Sequence, residues 1–437
     1  MPNPNKEPVL LVGSYRRASG RAAAEESLQE LAALATSAGA HVDGVFLQER
    51  RQANPGTLIG RGKIEELAEV ILSGDIAAVI FDDALSPAQQ RNLEREWHCK
   101  VLDRAELILD LFAQRARTRE GKLQVELAQL NYRLPRLAGH SEWLSRLGGG
   151  IGTRGPGETK LETDRRVIRR RVGQIRQQIE KVRRHRGLHR SKRRAIPVPV
   201  VSLAGYTNAG KSTLFNTLTT SKTLSSDRLF ATLDPLVRRL RLSTGQEVLF
   251  ADTVGFIRKL PTDLVAAFRA TLEEICEADL ILHVVDASSE QMTDQKASVE
   301  SILRDIGAES TPVLVVYNKA DLLPPERRRV LGEEPNTVVV SALSGEGMMV
   351  LEAAVARRVA PARIQVRLRI PYRQGFLLGR LRSTGAVLNE EYTPEEVLVR
   401  AEVAVADQAR WAPYLDNSAA AGKAPKARKR HLRRTKD

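Results

Sequence analysis

The residues with the clearest chemistry lie in one segment of the 437-residue chain, which reads Gly205, Tyr206, Thr207, Asn208, Ala209, Gly210, Lys211, Ser212 and Thr213. An apolar run precedes this segment and a stretch with helical periodicity follows it. Glycines in a G-x-x-x-x-G-K-S pattern between a strand and a helix let the backbone turn its N–H groups toward a polyphosphate. Lys211 would then reach the β and γ phosphates, and Ser212 would bind Mg²⁺. The segment therefore predicts a phosphate-binding loop.

Two later segments predict the metal and γ-phosphate contacts of the same site. Thr232 is expected to bring a hydroxyl to Mg²⁺ from a loop that becomes ordered around the γ-phosphate. The other segment follows a strand-like run and reads Asp252, Thr253, Val254 and Gly255. Its carboxylate is expected to hold Mg²⁺ through water, and its glycine N–H to contact the γ-phosphate. Lys211, Thr232 and Gly255 are thus the predicted catalytic residues.

The base is predicted from a third segment, which contains Asn318, Lys319 and Asp321 at the end of an apolar run. An ionised Asp321 accepts hydrogen bonds from N1–H and from the exocyclic amine of guanine, whereas adenine offers no such pair of donors. Asn318 is expected to brace the loop and Lys319 to lie along the base. Ser341 and Ala342 are predicted to bring a backbone N–H to the guanine O6. The nucleotide is therefore expected to be GTP or GDP.

Two positions suggest how hydrolysis is controlled. Phe256 follows Gly255 at the place where Ras-like enzymes carry a water-positioning glutamine, and its ring cannot hydrogen-bond. Turnover is therefore expected to be slow until a bound partner completes the site. Asn208 resembles the asparagine that holds a monovalent cation in potassium-activated GTPases, which makes it a candidate K⁺ ligand; the alternative is an ordinary turn residue.

Composition limits the class of protein. The hydrophobic content of 42% is sufficient for buried cores, and the formal net charge of +15 favours a polyanionic partner over solubility alone. Two cysteines, Cys99 and Cys276, are too few for a disulfide framework. No apolar run approaches membrane-spanning length, and Met1 to Pro4 show no apolar signal segment. We expect a cytoplasmic monomer without a membrane span.

Charge and hydrophobic spacing predict a helical hairpin that contacts RNA. Leucines at 123, 127, 130, 134 and 137, and β-branched residues at 168, 172, 175, 179 and 182, alternate in steps of four and three. This spacing is typical of a coiled coil, so we predict an antiparallel helical hairpin that projects from the body of the protein. A glycine-rich loop separates the two runs, and the second run is rich in arginine but poor in acids. The predicted RNA-binding residues are Gly149, Gly150, Gly152, Arg154, Gly155, Lys160, Arg165, Arg166, Arg169 and Arg170. The alternative for the loop is a plain connector.

We predict an α/β multidomain chain. Short apolar runs alternate with helical patterns in residues 1–115, which indicates an N-terminal parallel α/β domain. The antiparallel coiled-coil hairpin is assigned to residues 116–195, the P-loop GTPase (Ras-like) domain to 196–358 and a small C-terminal α+β domain to 359–416. Residues 417–437 are expected to be a disordered basic tail, for which RNA attachment and simple solvation are both open.

The motifs around the phosphate loop, together with the strings beginning at Gly150 and at Leu161, closely resemble the HflX family of P-loop GTPases. The resemblance runs from about Val9 to the end of the predicted GTPase domain. It implies a GTPase that uses Mg²⁺, binds the large (50S) ribosomal subunit and its rRNA, and splits or rescues stalled ribosomes. It also implies that the hairpin reaches toward the peptidyl transferase region.

Two other functions remain open. One is a ribosome-assembly factor or NTP-dependent rRNA remodeller, with Gly60 to Lys63 as a second anion site before a helix; the alternative for that stretch is a tight turn. The other is an RNA-binding module for which GTP is a non-catalytic switch.

Overall fold

The computed structural model describes residues 7–16, 20–50, 52–137, 156–194, 198–219, 230, 235–259, 275–360, 363–384, 386–404 and 408–416. The chain divides into two compact units, residues 1–358 and residues 359–437. In the described part, no helix is both long and apolar enough to cross a membrane. Thr232, the glycine-rich loop with its five predicted RNA-binding residues and the side chain of Lys160 lie outside the described residues.

The first unit begins with a parallel four-stranded sheet in the order β2-β1-β3-β4. Strand β3 is buried along its whole length, as expected for a strand covered on both faces. Ser86 caps α3: its hydroxyl accepts from the Gln89 N–H, and the Gln89 side chain accepts from the Ser86 N–H. The elements are β1 Pro8–Tyr15, α1 Arg21–Ala38, β2 His41–Glu49, α2 Arg61–Gly74, β3 Ala78–Phe81, α3 Pro87–Trp97, β4 Lys100–Asp103 and α4 Arg104–Arg115.

Two further helices follow, α5 Arg119–Arg136 and α6 Pro156–Arg194. The predicted apolar contact between the two helices forms in its central part, where Leu123, Ile175 and Ile179 are buried together. Glu126 accepts two hydrogen bonds from Arg171, 2.7 and 3.0 Å long, and these tie the helices together. The opposite side of α5 packs on α4 through the apolar core of the N-terminal sheet. The first helix is therefore part of the body and does not project from it as predicted.

The nucleotide-site motifs lie on a six-stranded sheet in the order β10-β9-β8-β5-β7-β6, parallel except for β6. Strand β5 has β7 on one side and β8 on the other, so the chain reverses its direction of winding at β5. Ligands of open α/β sheets bind at such a point. The elements are β5 Val200–Gly205, α7 Lys211–Thr219, β6 Leu236–Arg241, β7 Glu247–Asp252, β8 Leu280–Asp286, α8 Met292–Asp305, β9 Val313–Asn318, α9 Pro325–Glu333, β10 Thr337–Val339 and α10 Met348–Val359.

The second unit has an antiparallel three-stranded sheet in the order β11-β13-β12. One face carries the buried core and includes Leu368, Val399 and Trp411. The elements are β11 Arg363–Pro371, α11 Phe376–Thr384, β12 Ala386–Tyr392, β13 Glu396–Ala404 and α12 Gln408–Trp411. The α/β fold class with a small C-terminal α+β unit is thus confirmed.

A buried histidine in β8 gives the first unit a testable dependence on pH. His283 is 1% exposed, and neither ring nitrogen has a hydrogen-bond partner among the described residues. Burial lowers the pKa of His283 to about 4, and the charges of Lys296 and Lys211 act in the same direction. In the unfolded chain its pKa is about 6.5. Between these values the unfolded state binds a proton that the folded state does not, so stability falls as the pH drops.

Between pH 7 and pH 4.5, the free energy of unfolding should therefore fall by about 2 to 3 kcal/mol less in His283→Leu than in the parent protein. Urea unfolding of both proteins at the two pH values measures this difference. Equal slopes for the parent and the His283 variant would show that the histidine does not titrate on unfolding.

Candidate nucleotide site

The phosphate loop turns sharply between β5 and α7. Gly210 has φ +86°, a left-handed value that favours glycine. A Cβ on this residue would lie 2.2 Å from the Asn318 Nδ2, so the loop and the base-binding segment meet at that point. Asn208 also has a positive φ, +63°, and its side chain is exposed. Asparagine tolerates this conformation better than most residues, which accounts for its place in the turn.

Lys211 is only 6% exposed and lies beneath the loop. Its ammonium donates to the carbonyl oxygens of Gly205 and Tyr206 at 3.0 and 2.8 Å. Burial lowers the pKa of Lys211 to about 8, while the nearby charge of Asp252 acts against this. A phosphate approaching the ammonium would compete with the two carbonyl oxygens for its protons.

Of the predicted Mg²⁺ ligands, Ser212 and Asp252 belong to the described residues, and they lie in direct contact. The Ser212 hydroxyl donates to the Asp252 Oδ2 at 2.8 Å, across the gap between α7 and the end of β7. A hydroxyl and a carboxylate at this distance are hard oxygen donors that suit Mg²⁺, which takes its remaining ligands from water and phosphate. Within the described residues no group of three or more His, Cys, Asp or Glu side chains is arranged to hold a metal ion. The residues therefore fit Mg²⁺.

The segment after Asp252 runs directly against the phosphate loop. The Thr253 hydroxyl donates to the Leu203 carbonyl at 2.6 Å, and Val254 is buried. The backbone carbonyl of Phe256 accepts from the Thr207 N–H at 2.7 Å, and the backbone N–H of Phe256 donates to the Gly205 carbonyl at 3.1 Å. A Cβ on Gly255 would lie 2.9 Å from the Lys211 Nζ. This backbone is thus packed on the lysine that was predicted to reach the γ-phosphate.

Asn318 connects three parts of the base-binding end. Its Nδ2 donates to the Ala209 carbonyl, and its Oδ1 accepts from the Ala342 N–H, both at 2.9 Å. Asn318 therefore lies where a bracing residue should be. The Ala342 N–H was predicted to contact the guanine O6, and in this conformation it donates to Asn318.

The predicted guanine acceptor lies beside these contacts. The Asp321 Oδ1 accepts from the Ser341 hydroxyl at 2.5 Å, and this contact orients the carboxylate. Lys319 has φ +64° and forms an ion pair with Asp286 at 2.6 Å. The aliphatic part of the lysine is thereby held at the end of β8, next to the predicted base position. Thr213 is the third residue of α7.

The predicted second anion site at Gly60 has its polar groups already engaged. The Gly60 N–H donates to the Gln48 side chain at 3.1 Å. Arg61 pairs with Glu65 and Lys63 pairs with Glu66 on the same helix. These contacts favour the turn over a site for nucleotide.

One set of contacts was not predicted. The Tyr206 hydroxyl donates to Glu30 of α1 at 2.6 Å, and Lys259 contacts Asp82 after β3. The only signal in the sequence is that Asp82 and Asp83 follow a buried strand, where parallel sheets place polar residues. No spacing in the chain connects them with residues 206 and 259.

A glycine loop lies at the reversal point of the sheet, and the predicted Mg²⁺ ligands and the predicted guanine acceptor lie at neighbouring strand ends. This arrangement is typical of the P-loop GTPases. The family model described as "50S ribosome-binding GTPase" matches residues 200–319. The models "GTP-binding GTPase N-terminal" and "GTP-binding GTPase Middle Region" match residues 25–113 and 115–193.

The chain is 48% identical to "GTPase HflX" of Caldanaerobacter subterraneus over 87% of its own length and 88% of the relative. It is 46% identical to "GTPase HflX" of Escherichia coli, covering 86% and 89%. A crystal structure of SsGBP with GDP aligns at TM-score 0.47 and 25% identity, over 80% of this chain and 98% of that one. The chain belongs to the HflX family of GTPases, which confirms the resemblance, and it is a GTP hydrolase.

Proposed function

We propose that this GTPase binds the large ribosomal subunit through rRNA and uses its GTP-dependent conformation to split or rescue stalled ribosomes. The description of the family model that matches its nucleotide domain supports the partner. The observation that carries the proposal is the charge on helix α6. Four arginines there have no acidic partner among the described side chains: Arg165, Arg166, Arg170 and Arg176, of which the first three are predicted RNA-binding residues. Unpaired arginines on a helix are suited to phosphate.

The other arginines of α6 serve as an internal comparison. Arg171 holds α5 through Glu126, and this pair stabilises the hairpin itself. Arg169 and Arg184 lie near glutamates of their own helix, at 3.8 and 3.6 Å. The positive charge beyond these pairs is not needed for folding, so we assign it to phosphate binding.

We expect the triple change of Arg165, Arg166 and Arg170 to Ala to weaken binding to purified large subunits about 30-fold or more at physiological salt. The slope of log affinity against log salt should fall by about 2 to 3, since each lost phosphate contact removes about 0.7 to 0.9. Binding measured across a salt series with a non-hydrolysable GTP analogue provides both values. GDP affinity in the absence of ribosomes should be unchanged.

The matched control removes the same charge elsewhere, at the exposed Arg61, Arg95 and Arg357. These changes should lower the slope by less than 1, because the residues are not on α6. Equal losses in the two triple variants would mean that net charge, and not the hairpin surface, attracts the ribosome.

Splitting itself is tested by sedimentation of stalled 70S ribosomes with the protein and each nucleotide. A shift from ribosomes to subunits with the GTP analogue, and a weaker shift with GDP, supports the proposal. Co-sedimentation with intact ribosomes or precursor particles would favour an assembly factor. Binding that ignores the nucleotide would favour an RNA-binding module in which GTP serves only as a switch.

Catalysis in this proposal depends on the partner. Mg²⁺, held by Ser212, Asp252 and Thr232, would neutralise charge on the phosphates. Phe256 is buried and offers no side-chain hydrogen bond to water, so its position supports slow turnover by the isolated protein. GTP turnover measured with and without ribosomes, in potassium and in sodium, tests both the stimulation and a K⁺ at Asn208. Equal rates in all four conditions would contradict both.

A further inference from the structure

Tyr206 of the phosphate loop connects the nucleotide site with the N-terminal sheet. It is 6% exposed, its hydroxyl donates to the Glu30 Oε1 at 2.6 Å, and the same oxygen accepts from the Arg258 backbone N–H at 2.7 Å. Burial, and next the charge of Glu30, raise the pKa of Tyr206, so the hydroxyl stays protonated and remains a donor. The backbone three residues after Gly255 is thus held by a side chain that is itself anchored on α1.

A second contact joins the following residue to the N-terminal sheet. The Lys259 ammonium contacts the Asp82 carboxylate and lies 3.9 Å from the Asp83 Oδ1. Both aspartates follow β3, which pairs with β1 while β2 lies on the other side of β1. This is the crevice where an open α/β sheet binds its ligand. In this protein the occupant is a lysine from the nucleotide domain.

The polar groups that line the crevice are buried and hydrogen-bonded to one another. Asp82 is 4% exposed, and it accepts from the Arg104 Nη1 and from the Ser27 hydroxyl, each at 2.7 Å. Burial would raise the pKa of Asp82, but Arg104 and Lys259 together hold it below its usual value. Arg104 also pairs with Glu30, which accepts from Tyr206. The contacts therefore form a closed ring. In order, its members are Lys259, Asp82, Arg104, Glu30, Tyr206 and the backbone of Arg258, which is bonded to Lys259.

The ring lies next to the part of the site that must respond to the γ-phosphate. In this conformation Lys211 donates to loop carbonyls, and Gly255 and Phe256 are packed on the loop. For Lys211 to reach the γ-phosphate and for the Gly255 N–H to contact it, this backbone has to move. Residues 258 and 259 follow within four positions, and Lys259 has φ +55°, a strained value for lysine. Movement at 255 therefore strains or breaks the ring.

We infer that the crevice after β3 is a receptor for Lys259, and that its occupancy is coupled to the bound nucleotide through Tyr206 as a positioning residue. The ring favours the GDP conformation, and GTP binding opposes it. By linkage, any partner that enters the crevice or displaces α1 favours GTP. The inference rests on nucleotide binding alone and not on the proposed ribosomal function, so its test requires no ribosomes.

The test is Lys259→Ala in the full chain. The lysine side chain is 48% exposed, so its loss should leave the fold intact. We expect the affinity for a non-hydrolysable GTP analogue to rise about five- to twentyfold, while GDP affinity changes less than about twofold. Lys63→Ala, which breaks an exposed pair with Glu66 on the same sheet domain, is the control and should change neither. Tyr206→Phe should shift the ratio in the same direction.

A double-mutant cycle with Asp82→Asn separates the coupling from general damage. If the ring transmits the coupling, the double variant should show the same analogue-to-GDP ratio as Lys259→Ala alone, because either change breaks the same contact. Thermal unfolding of each variant shows whether the fold is retained. A ratio unchanged in Lys259→Ala, equal changes for both nucleotides, or additive effects of the two changes would overturn the inference.

Discussion

Replacing Asp321 by Asn is expected to weaken GDP and GTP binding about 100- to 1000-fold, or about 3 to 4 kcal/mol, and to create binding of xanthine nucleotides. The carboxylate is the predicted acceptor for the two guanine donors, and each hydrogen bond to a charged group contributes about 1.5 to 3 kcal/mol. In the variant, an NH₂ donor replaces one of the two carboxylate oxygens. This NH₂ group would face the exocyclic amine of guanine, which is also a donor. Xanthine carries a carbonyl oxygen at that position and would pair with the amide.

Nucleotide titrations with GDP, XDP and ADP measure this exchange of specificity. The variant should keep its fold, because an Asn carbonyl oxygen can still accept from the Ser341 hydroxyl that now lies 2.5 Å from Asp321. Ser341→Ala is the control: it removes the orienting bond but keeps the carboxylate, so GDP should weaken only about tenfold and XDP should not bind. GDP affinity within threefold of the parent in Asp321→Asn would show that this carboxylate does not read the base.

Replacing Gly210 by Ala is expected to abolish measurable nucleotide binding and to destabilise the first unit by about 2 to 4 kcal/mol. Two effects combine at this residue. Its φ of +86° is unfavourable for any residue with a Cβ, and the Cβ would lie 2.2 Å from the Asn318 amide. That amide holds the Ala209 carbonyl and, through its oxygen, the Ala342 N–H. The substitution therefore pushes the phosphate loop away from the base-binding segment.

Gly345→Ala is a matched control for the backbone effect. Gly345 has nearly the same φ, +83°, but a Cβ there would meet nothing within 4 Å. We expect it to cost about 1 kcal/mol and to leave GDP affinity within about threefold of the parent. Chemical unfolding and GDP titration of both variants separate strain from collision. Similar losses in the two variants would mean that left-handed strain, and not contact with Asn318, explains the requirement for glycine.

The segments of the candidate nucleotide site could be located from the sequence because the chemistry that they predict is local. The phosphate loop needs only glycines, a lysine and a hydroxyl at fixed offsets between a strand and a helix. Asp252 and Asn318 follow apolar runs, and parallel strands bring their carboxyl ends to one edge of the sheet. What the sequence could not supply is the conformation, such as Lys211 turned onto the loop carbonyls or Ala342 bound to Asn318.

The hairpin shows where periodicity misleads. The heptad spacing predicted the α5 and α6 contact, and Leu123, Ile175 and Ile179 are buried there. The same helix has a second apolar side, including Val125 and Ala128, which packs into the N-terminal core. A periodic pattern identifies faces of a helix but not their partners, so the helix was expected to project when it is covered on two sides.

The sequence by itself determined the nucleotide chemistry, the guanine preference and the alternation of strands and helices, since each depends on residues close together in the chain. Only the tertiary structure decided that the phosphate loop is connected to the N-terminal sheet. Tyr206 and Glu30 are 176 residues apart, and Lys259 and Asp82 are 177 apart. Polar contacts of this kind leave no hydrophobic period in the sequence. They exist because the folding of the two sheets places single polar or charged side chains opposite each other.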